Sequence, residues 1–367
     1  MPLPAIVLAI FVYGMSAALL GSTLPDVSSR YGLSPKQNGT IALLQALGLM
    51  LASITAGPLI DAWGTKSGLV MGLAINTAAL VRLPRLRGFR GIGGSFLLLG
   101  LGGGLVVTSA NALASSLNPA HRGSTLNLLN LFFGLGAMAT PMLARKAGRV
   151  IAGLTGTALV LELVTPVAAT AGAPGFVFSD LGMVLRQPTL WLLASFLLLY
   201  VACEVGIWNW LTRYLIAQGV PERRALQILS LGFALGLLTG RLAAAPVLTR
   251  VPGLQVTLCA SVAIAGAVYC LLQTRKPAVA WALVFVTGLA MGPVFPTTLA
   301  LVGDAFPRLT GTAMGLVITC GWLGLAVSSR VIGSLAGDDP RRLKRALLLL
   351  PAMALGMVAV NLALQAR

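Results

Sequence analysis

The chain is a succession of apolar runs, too long and too numerous for a fold in water. In order they cover residues 5–25, 38–60, 67–83, 92–115, 124–144, 150–169, 189–216, 225–248, 254–273, 278–303, 309–335 and 346–365. Most approach or exceed the roughly 20 residues that a helix needs to cross the hydrocarbon core of a bilayer. Helices are the only option, because a backbone in hydrocarbon must satisfy its own hydrogen bonds. Twelve spans consume about 240 residues, which in a chain of 367 leaves short loops and no large soluble domain. Charged residues are 10% of the total, where a soluble domain carries about 25%. The expected fold is all-α and integral to a membrane, with twelve transmembrane helices. The 43 glycines suit it, since they allow close helix approach where lipid offers no hydrophobic drive between helices.

The net charge of +17 would suggest nucleic acid in a soluble protein. Here the 26 basic residues are scattered at the ends of apolar runs, with no basic stripe interleaved with aromatics. They read as contacts to headgroups, so the bilayer is the expected partner and nucleic acid is not. Cys203, Cys259, Cys270 and Cys320 all lie inside apolar runs without metal-ligand spacing, and read as free thiols. His121 is the only histidine. No nucleotide-binding loop or hydrolase motif is present, and the glycine-rich Gly100–Gly104 stretch sits inside an apolar run rather than at a helix start. No enzyme activity, cofactor or metal is expected, and primary active transport is disfavoured. Met1-Pro2-Leu3-Pro4 lacks the basic start of a cleavable signal peptide. The first span is expected to serve as its own insertion signal.

The chain divides in the middle. Residues 171–188 carry Gly172, Pro174, Gly175, Asp180 and Arg186 and separate six runs from six. Leu181, Val184 and Leu185 there suggest a short amphipathic helix at the membrane surface. The expected units are a six-helix bundle over 1–170, this linker, and a second six-helix bundle over 189–367. A repeat supports the division. Gly100, Gly104, Pro119, Gly123 and Gly136 recur 188 residues later as Gly288, Gly292, Pro307, Gly311 and Gly324. Parallel repeats of this kind place a binding site near the membrane midplane.

Few polar residues lie inside the runs, and those few are the candidates. Glu204 sits mid-run, with Tyr200 and Trp208 one turn away on the same face. An ionisable group costs at least ~2.5 kcal/mol in a span, so it faces a cavity or a partner, or it is neutral. A carboxyl held away from water can take up and release a proton. Aromatics beside it suit the apolar face of a sugar ring. The alternative is a neutral glutamate bonded to another helix. Glu162 is a second intramembrane carboxyl, read as structural and paired with Arg149 or a neighbouring helix. Gln45, Thr108, Asn111, Asn127 and Asn130 add donors and acceptors in spans 2, 4 and 5. They read either as solute contacts or as interhelical hydrogen bonds worth about 0.6 kcal/mol each.

Between spans 2 and 3 stands Gly57-Pro58-Leu59-Ile60-Asp61-Ala62-Trp63-Gly64-Thr65-Lys66. Its pattern G-x-x-x-D-x-x-G-x-K resembles the loop between helices 2 and 3 of the major facilitator superfamily. A worn counterpart is read at Gly240–Ala244, with Ala244 in the place of Asp61. The resemblance implies that Gly57, Asp61, Gly64 and Lys66 form a conformational latch, in which Asp61 meets the start of span 11 near Thr310-Gly311 and holds the outward-facing state. Within the superfamily the chain looks like the fucose permease-like group of sugar:proton symporters. Three stretches carry this likeness: Tyr200–Tyr214, Leu126–Gly136, and Gly288–Thr297 leading to Phe306–Gly315; Gln45 also matches that group's span-2 glutamine. Two acids of that group are missing: Gly21 stands four residues before Pro25, and Val107 four before Asn111. Coupling through those positions is excluded, which leaves Glu204.

The reading is a monomeric secondary transporter of a small polar, sugar-like solute, working by alternating access with protons coupled through Glu204. The alternatives are an exporter of drugs or sugars, and a non-transporting receptor on the same fold. The resemblance implies a multi-pass protein of the plasma (inner) membrane with cytoplasmic termini. The charges oppose that orientation, because it places 7 of the 26 basic residues inside and 19 outside. The usual bias is the reverse.

Overall fold

The computed structural model describes residues 3–86, 88–166, 178–337 and 340–367. Among them there is no strand, and 12 helical stretches are long and apolar enough to cross a membrane. We call these spans 1 to 12: Leu3–Leu24, Lys36–Trp63, Thr65–Arg85, Gly88–Leu117, Pro119–Leu143, Ala147–Val164, Pro188–Ala217, Glu222–Val247, Gly253–Gln273, Pro277–Ala305, Thr310–Ala336 and Arg342–Gln365.

Local chemistry sets several boundaries. Ser34 and Gln37 form a capping box at the start of span 2, followed by Pro35 in the first helical turn. Prolines also open spans 7 and 10. Span 10 is broken after Met291 and resumes at Val294, where Pro293 lacks the N–H that would continue the ladder. Span 8 changes to π-helical geometry over Ile228–Ala234 and returns to α-helix for Leu235–Val247. The Arg-rich stretch before span 4 is a single 3₁₀ turn, Leu83–Arg85, and Arg90 already lies in the first turn of span 4; Arg87 falls outside the described residues. The linker's predicted helix is present as Phe178–Leu185, with Val184 buried and Met183 exposed. Residues 171–177 of that linker lie outside the described residues.

The described residues form two compact units. The first comprises Met1–Pro119, Leu129–Arg186 and Phe306–Thr319; the second comprises Ala120–Leu128, Gln187–Ala305 and Cys320–Arg367. Each thus takes in the first turns of a span from the other half of the sequence. The two borrowed segments correspond: residues 122–128 lie 188 positions before 310–316.

The repeat is also a repeat of packing. In the first unit a Cβ on Gly100 would stand 2.1 Å from the carbonyl O of Gln45, and one on Gly104 would stand 2.6 Å from that of Leu49. In the second, Gly288 meets the carbonyl of Phe233 at 2.3 Å and Gly292 that of Leu237 at 2.5 Å. Every partner pair (45 and 233, 49 and 237) keeps the 188-residue offset. So do Gly48 and Gly236, which approach spans 4 and 10 from the other side. Backbones at this separation exclude any side chain, so the glycines set the register of spans 2 and 4 and of spans 8 and 10.

Introducing a side chain at Gly100 or Gly288 should therefore overpack the interface and cost about 1–3 kcal/mol. Gly153, with nothing within 4 Å of its Cβ position, should tolerate alanine. Thermal unfolding of the purified protein tests this, with Gly100→Val and Gly288→Val expected to lower the midpoint alike and Gly153→Ala to leave it unmoved.

Candidate functional site

The decamer at the end of span 2 is mostly helix. The helix runs to Trp63, and the only non-helical residue before span 3 is Gly64, at φ 84°. Nothing lies within 4 Å of a Cβ at Gly64, so its glycine is required by backbone conformation. Gly57 is required for a different reason: a Cβ there would lie 2.6 Å from Thr312 Cα. A Cβ on Gly311 would collide with Asp61, and one on Gly315 would stand 2.4 Å from the Ser53 carbonyl. These three glycines bring span 2 against the first turns of span 11. There the backbone N–H of Gly311 donates to Asp61 Oδ1 at 3.1 Å, and that of Thr312 donates to Asp61 Oδ2 at 2.7 Å. A helix start has free N–H groups and a partial positive charge, and Asp61 supplies a carboxylate oxygen to each of two donors.

Lys66 does something else. Its Nζ donates to the carbonyls of Leu163 and Thr165, at 3.1 and 2.8 Å, where span 6 ends. A cation at the C-terminal end of a helix satisfies free carbonyls and opposes the helix dipole. The fully buried Glu162 lies within electrostatic reach of the same ammonium. Its neighbour is therefore Lys66, on span 3; Arg149 is 13 residues away along the same helix.

The worn counterpart of the decamer needs correction. Gly240–Ala244 is not a loop but the middle of the helix Leu235–Val247. The packing register assigns a different residue to the place of Asp61. Gly311 packs on Ile60 in the first unit, and Gly123 packs on Leu248 in the second. Both pairs are offset by 188, so Asp61 corresponds to Thr249. The Thr249 hydroxyl donates to its own chain at Pro246. The second unit joins the borrowed segment of span 5 by other means: Arg122 pairs with Asp304, and Asn127 Nδ2 donates to Thr297 Oγ1 at 3.1 Å.

The amides divide between the units. In the first, Asn130 Nδ2 donates to Asn111 Oδ1 at 2.8 Å, and Asn111 Nδ2 donates back to Val107 O at 2.7 Å. Both asparagines are buried, as is Thr108. Gln45 is half-buried, with its backbone against Gly100. In the second unit Asn127 is fully buried on Thr297. Asn127 and Asn130 are three residues apart yet serve different neighbours.

Tyr200, Glu204 and Trp208 are also in the second unit. Tyr200 is fully buried, and its hydroxyl lies within electrostatic reach of both the Glu204 carboxylate and the Arg241 guanidinium. Trp208 is 38% exposed and meets Phe233, in the π-helical turn of span 8, edge-on at 5.2 Å. Arg241 is not among the sequence-based site residues because it stands in the stretch read as the worn counterpart of the decamer. It is 6% exposed, and its Nε donates to the Gly292 carbonyl at the break in span 10. An arginine between Gly240 and Leu242 inside an apolar run was the available signal. Two other buried amides were also unassigned: Asn76, against Gly102, and Asn361, whose Nδ2 donates to Thr257 Oγ1 at 2.8 Å.

If Asp61 caps span 11, Asp61→Ala should expose the Gly311 and Thr312 amides. A hydrogen bond to a charged group contributes about 1.5–3 kcal/mol, or roughly ten- to a hundredfold in exchange protection. Hydrogen exchange at those two amides should rise by at least about tenfold. Thr249→Ala should leave exchange around Gly123 unchanged.

Comparison with known proteins agrees with this geometry. The profile of the Major Facilitator Superfamily matches residues 6–329. A Saccharomyces cerevisiae protein, Bypass of stop codon protein 6, is 23% identical over 63% of this chain and 54% of its own length. The chain thus spans about half the length of that relative. The Sodium-dependent glucose transporter 1 of Rattus norvegicus is 22% identical over 89% of this chain and 77% of its own. The crystal structure of the Escherichia coli fucose:proton symporter FucP superposes with a TM-score of 0.87 at 15% identity, covering 99% of this chain and 98% of that one. With twelve spans, a duplicated packing register and a family match over most of its length, the chain belongs to the major facilitator superfamily.

Proposed function

We propose that the protein is a secondary transporter of a small hydroxylated solute, with Glu204 as the carboxyl that couples transport to protons. One observation carries the reading: Glu204 and Arg241, two ionisable groups inside membrane spans, both lie within electrostatic reach of the buried Tyr200 hydroxyl. Ionisable groups at such depth are costly and mark solute or proton pathways. The hydroxyl and amide groups of Thr108, Asn111 and Asn130 in the first unit, and of Asn127 in the second, offer the donors and acceptors that a sugar-like solute needs. The names of a glucose transporter and a fucose:proton symporter among the similar proteins support the solute class; the symporter's name supports the proton, whereas the glucose transporter's names sodium. In this proposal residues 1–170 and 189–367 alternate in access, and the Asp61 cap on span 11 favours one of the two states. The missing acids at Gly21 and Val107 leave no other carboxyl in those two positions.

The test is transport in proteoliposomes, using a panel of labelled sugars with and without an inward proton gradient. The wild type should accumulate at least one sugar only when the gradient is present. Glu204→Gln should abolish accumulation while leaving equilibration down the sugar's own gradient. Coupled accumulation surviving in Glu204→Gln would remove Glu204 from the coupling role. Absence of flux for every solute, in a protein shown to be folded, would favour a receptor.

A further inference from the structure

At the start of span 12 the sequence Pro340-Arg-Arg-Leu-Lys-Arg-Ala-Leu347 forms a short helix of its own, ahead of the longer helix Leu349–Gln365. It holds four basic residues in eight. Its inner face is apolar and closed: Leu343, Ala346 and Leu347 are 2–3% exposed. Arg342 and Arg345 are exposed, and their spacing of three places them on one face. They border a cavity of about 340 Å³, whose remaining lining is Leu335, Ala346, Leu348 and Leu349. On the other flank of the helix, Lys344 donates to Gln273 Oε1 and shares a second cavity, of about 220 Å³, with Arg275. Among the described residues, no acidic residue lines either cavity. The only acids in the sequence after residue 305 are Asp338 and Asp339, just ahead of this helix.

We propose that the first cavity is a binding site for an anionic phospholipid. Two guanidinium groups provide charge and several N–H donors for a phosphate. The charge favours an anionic headgroup over a zwitterionic one, which carries no net negative charge for the two guanidinium groups to attract. The rest of the lining selects a lipid over a free phosphate. Leu335 belongs to the end of span 11, and Leu348 and Leu349 stand where the short helix gives way to the long helix of span 12. Acyl chains entering beside them continue along two membrane-spanning helices. The site is remote in sequence from the groups assigned to solute and does not depend on that assignment.

Native mass spectrometry of the full chain tests the proposal. The purified protein is equilibrated with equal amounts of dioleoyl phosphatidylglycerol and dioleoyl phosphatidylcholine. Phosphatidylglycerol should be retained preferentially. Replacing both arginines (Arg342→Gln with Arg345→Gln) should reduce its retention by about tenfold or more, at roughly 1 kcal/mol for each basic residue. The pair Arg223→Gln with Arg224→Gln, on exposed residues in the first turn of span 8, makes the same change in net charge and should leave retention intact. Equal retention of the two lipids would overturn the proposal, as would equal losses in the two double variants. A milder pair, Arg342→Lys with Arg345→Lys, keeps the charge while removing the paired donors, and should retain intermediate amounts. Competition by inorganic phosphate at the lipid's own concentration would also overturn it, by showing that the acyl chains contribute nothing.

Discussion

Close approach of one backbone to another, allowed by glycine, is the interaction on which the rest of the structure depends. Hydrocarbon gives helices no reason to associate through apolar side chains alone, so packing and polar contacts must hold them. Gly48, Gly100 and Gly104 do this in the first unit, and Gly236, Gly288 and Gly292 repeat it in the second. The same device operates where span 2 meets span 11. Without Gly57, Gly311 and Gly315, side chains would separate the helices and Asp61 could not reach the N–H groups of Gly311 and Thr312. Charge placement here follows from steric permission. A glycine that looks like composition in the sequence is, in the fold, the reason a carboxylate has a partner.

Polar groups inside the spans fall into two kinds. Most hydroxyls bond to a carbonyl one turn back on their own helix, as Ser16, Thr77, Thr155 and Thr287 do. These need no neighbour and say nothing about function. The second kind crosses between helices: Asn130 to Asn111, Asn127 to Thr297, Asn361 to Thr257. Such contacts are modest in energy but specific in geometry. Glu204 and Arg241 differ again, because a charge in hydrocarbon needs a counter-charge, a proton or a solute to offset its desolvation. That requirement, more than any hydrogen bond, separates the Tyr200 cluster from the other amides.

Much of the architecture was legible in the sequence because its cause is one-dimensional. Length and apolarity define twelve spans, and the structure agrees to within about five residues, apart from the end of the sixth, whose expected residues 167–169 lie outside the described residues. The repeat was legible because glycine has no substitute where backbones touch. What was not legible depends on register. Gly240–Ala244 was matched to the Asp61 decamer by local similarity, whereas the helix contacts pair Asp61 with Thr249. Arg241 was absorbed into that worn counterpart, although it lies inside the helix Leu235–Val247. Lys66 belongs to the same decamer as Asp61, yet it faces the end of span 6. Two residues five apart near a helix end point to different neighbours, and only the three-dimensional arrangement assigns them.

Duplication has preserved geometry here while chemistry has diverged. In each unit the first turns of a span from the opposite half pack on the end of a helix, at Ile60 and at Leu248. In the first unit a half-buried carboxylate receives two backbone N–H groups at a helix start, each contact contributing about 1.5–3 kcal/mol. In the second, Arg122 and Asp304 are 16% and 56% exposed, and a pair so open to water contributes about 1 kcal/mol or less. Asn127 and Thr297 add a neutral hydrogen bond. The borrowed segment of span 11 is thus held by charge and helix dipole together. That of span 5 is held by a solvated ion pair and an amide. Two joints built on one template differ in chemistry because the template fixes only where backbones meet, and the side chains placed there decide which groups hold them.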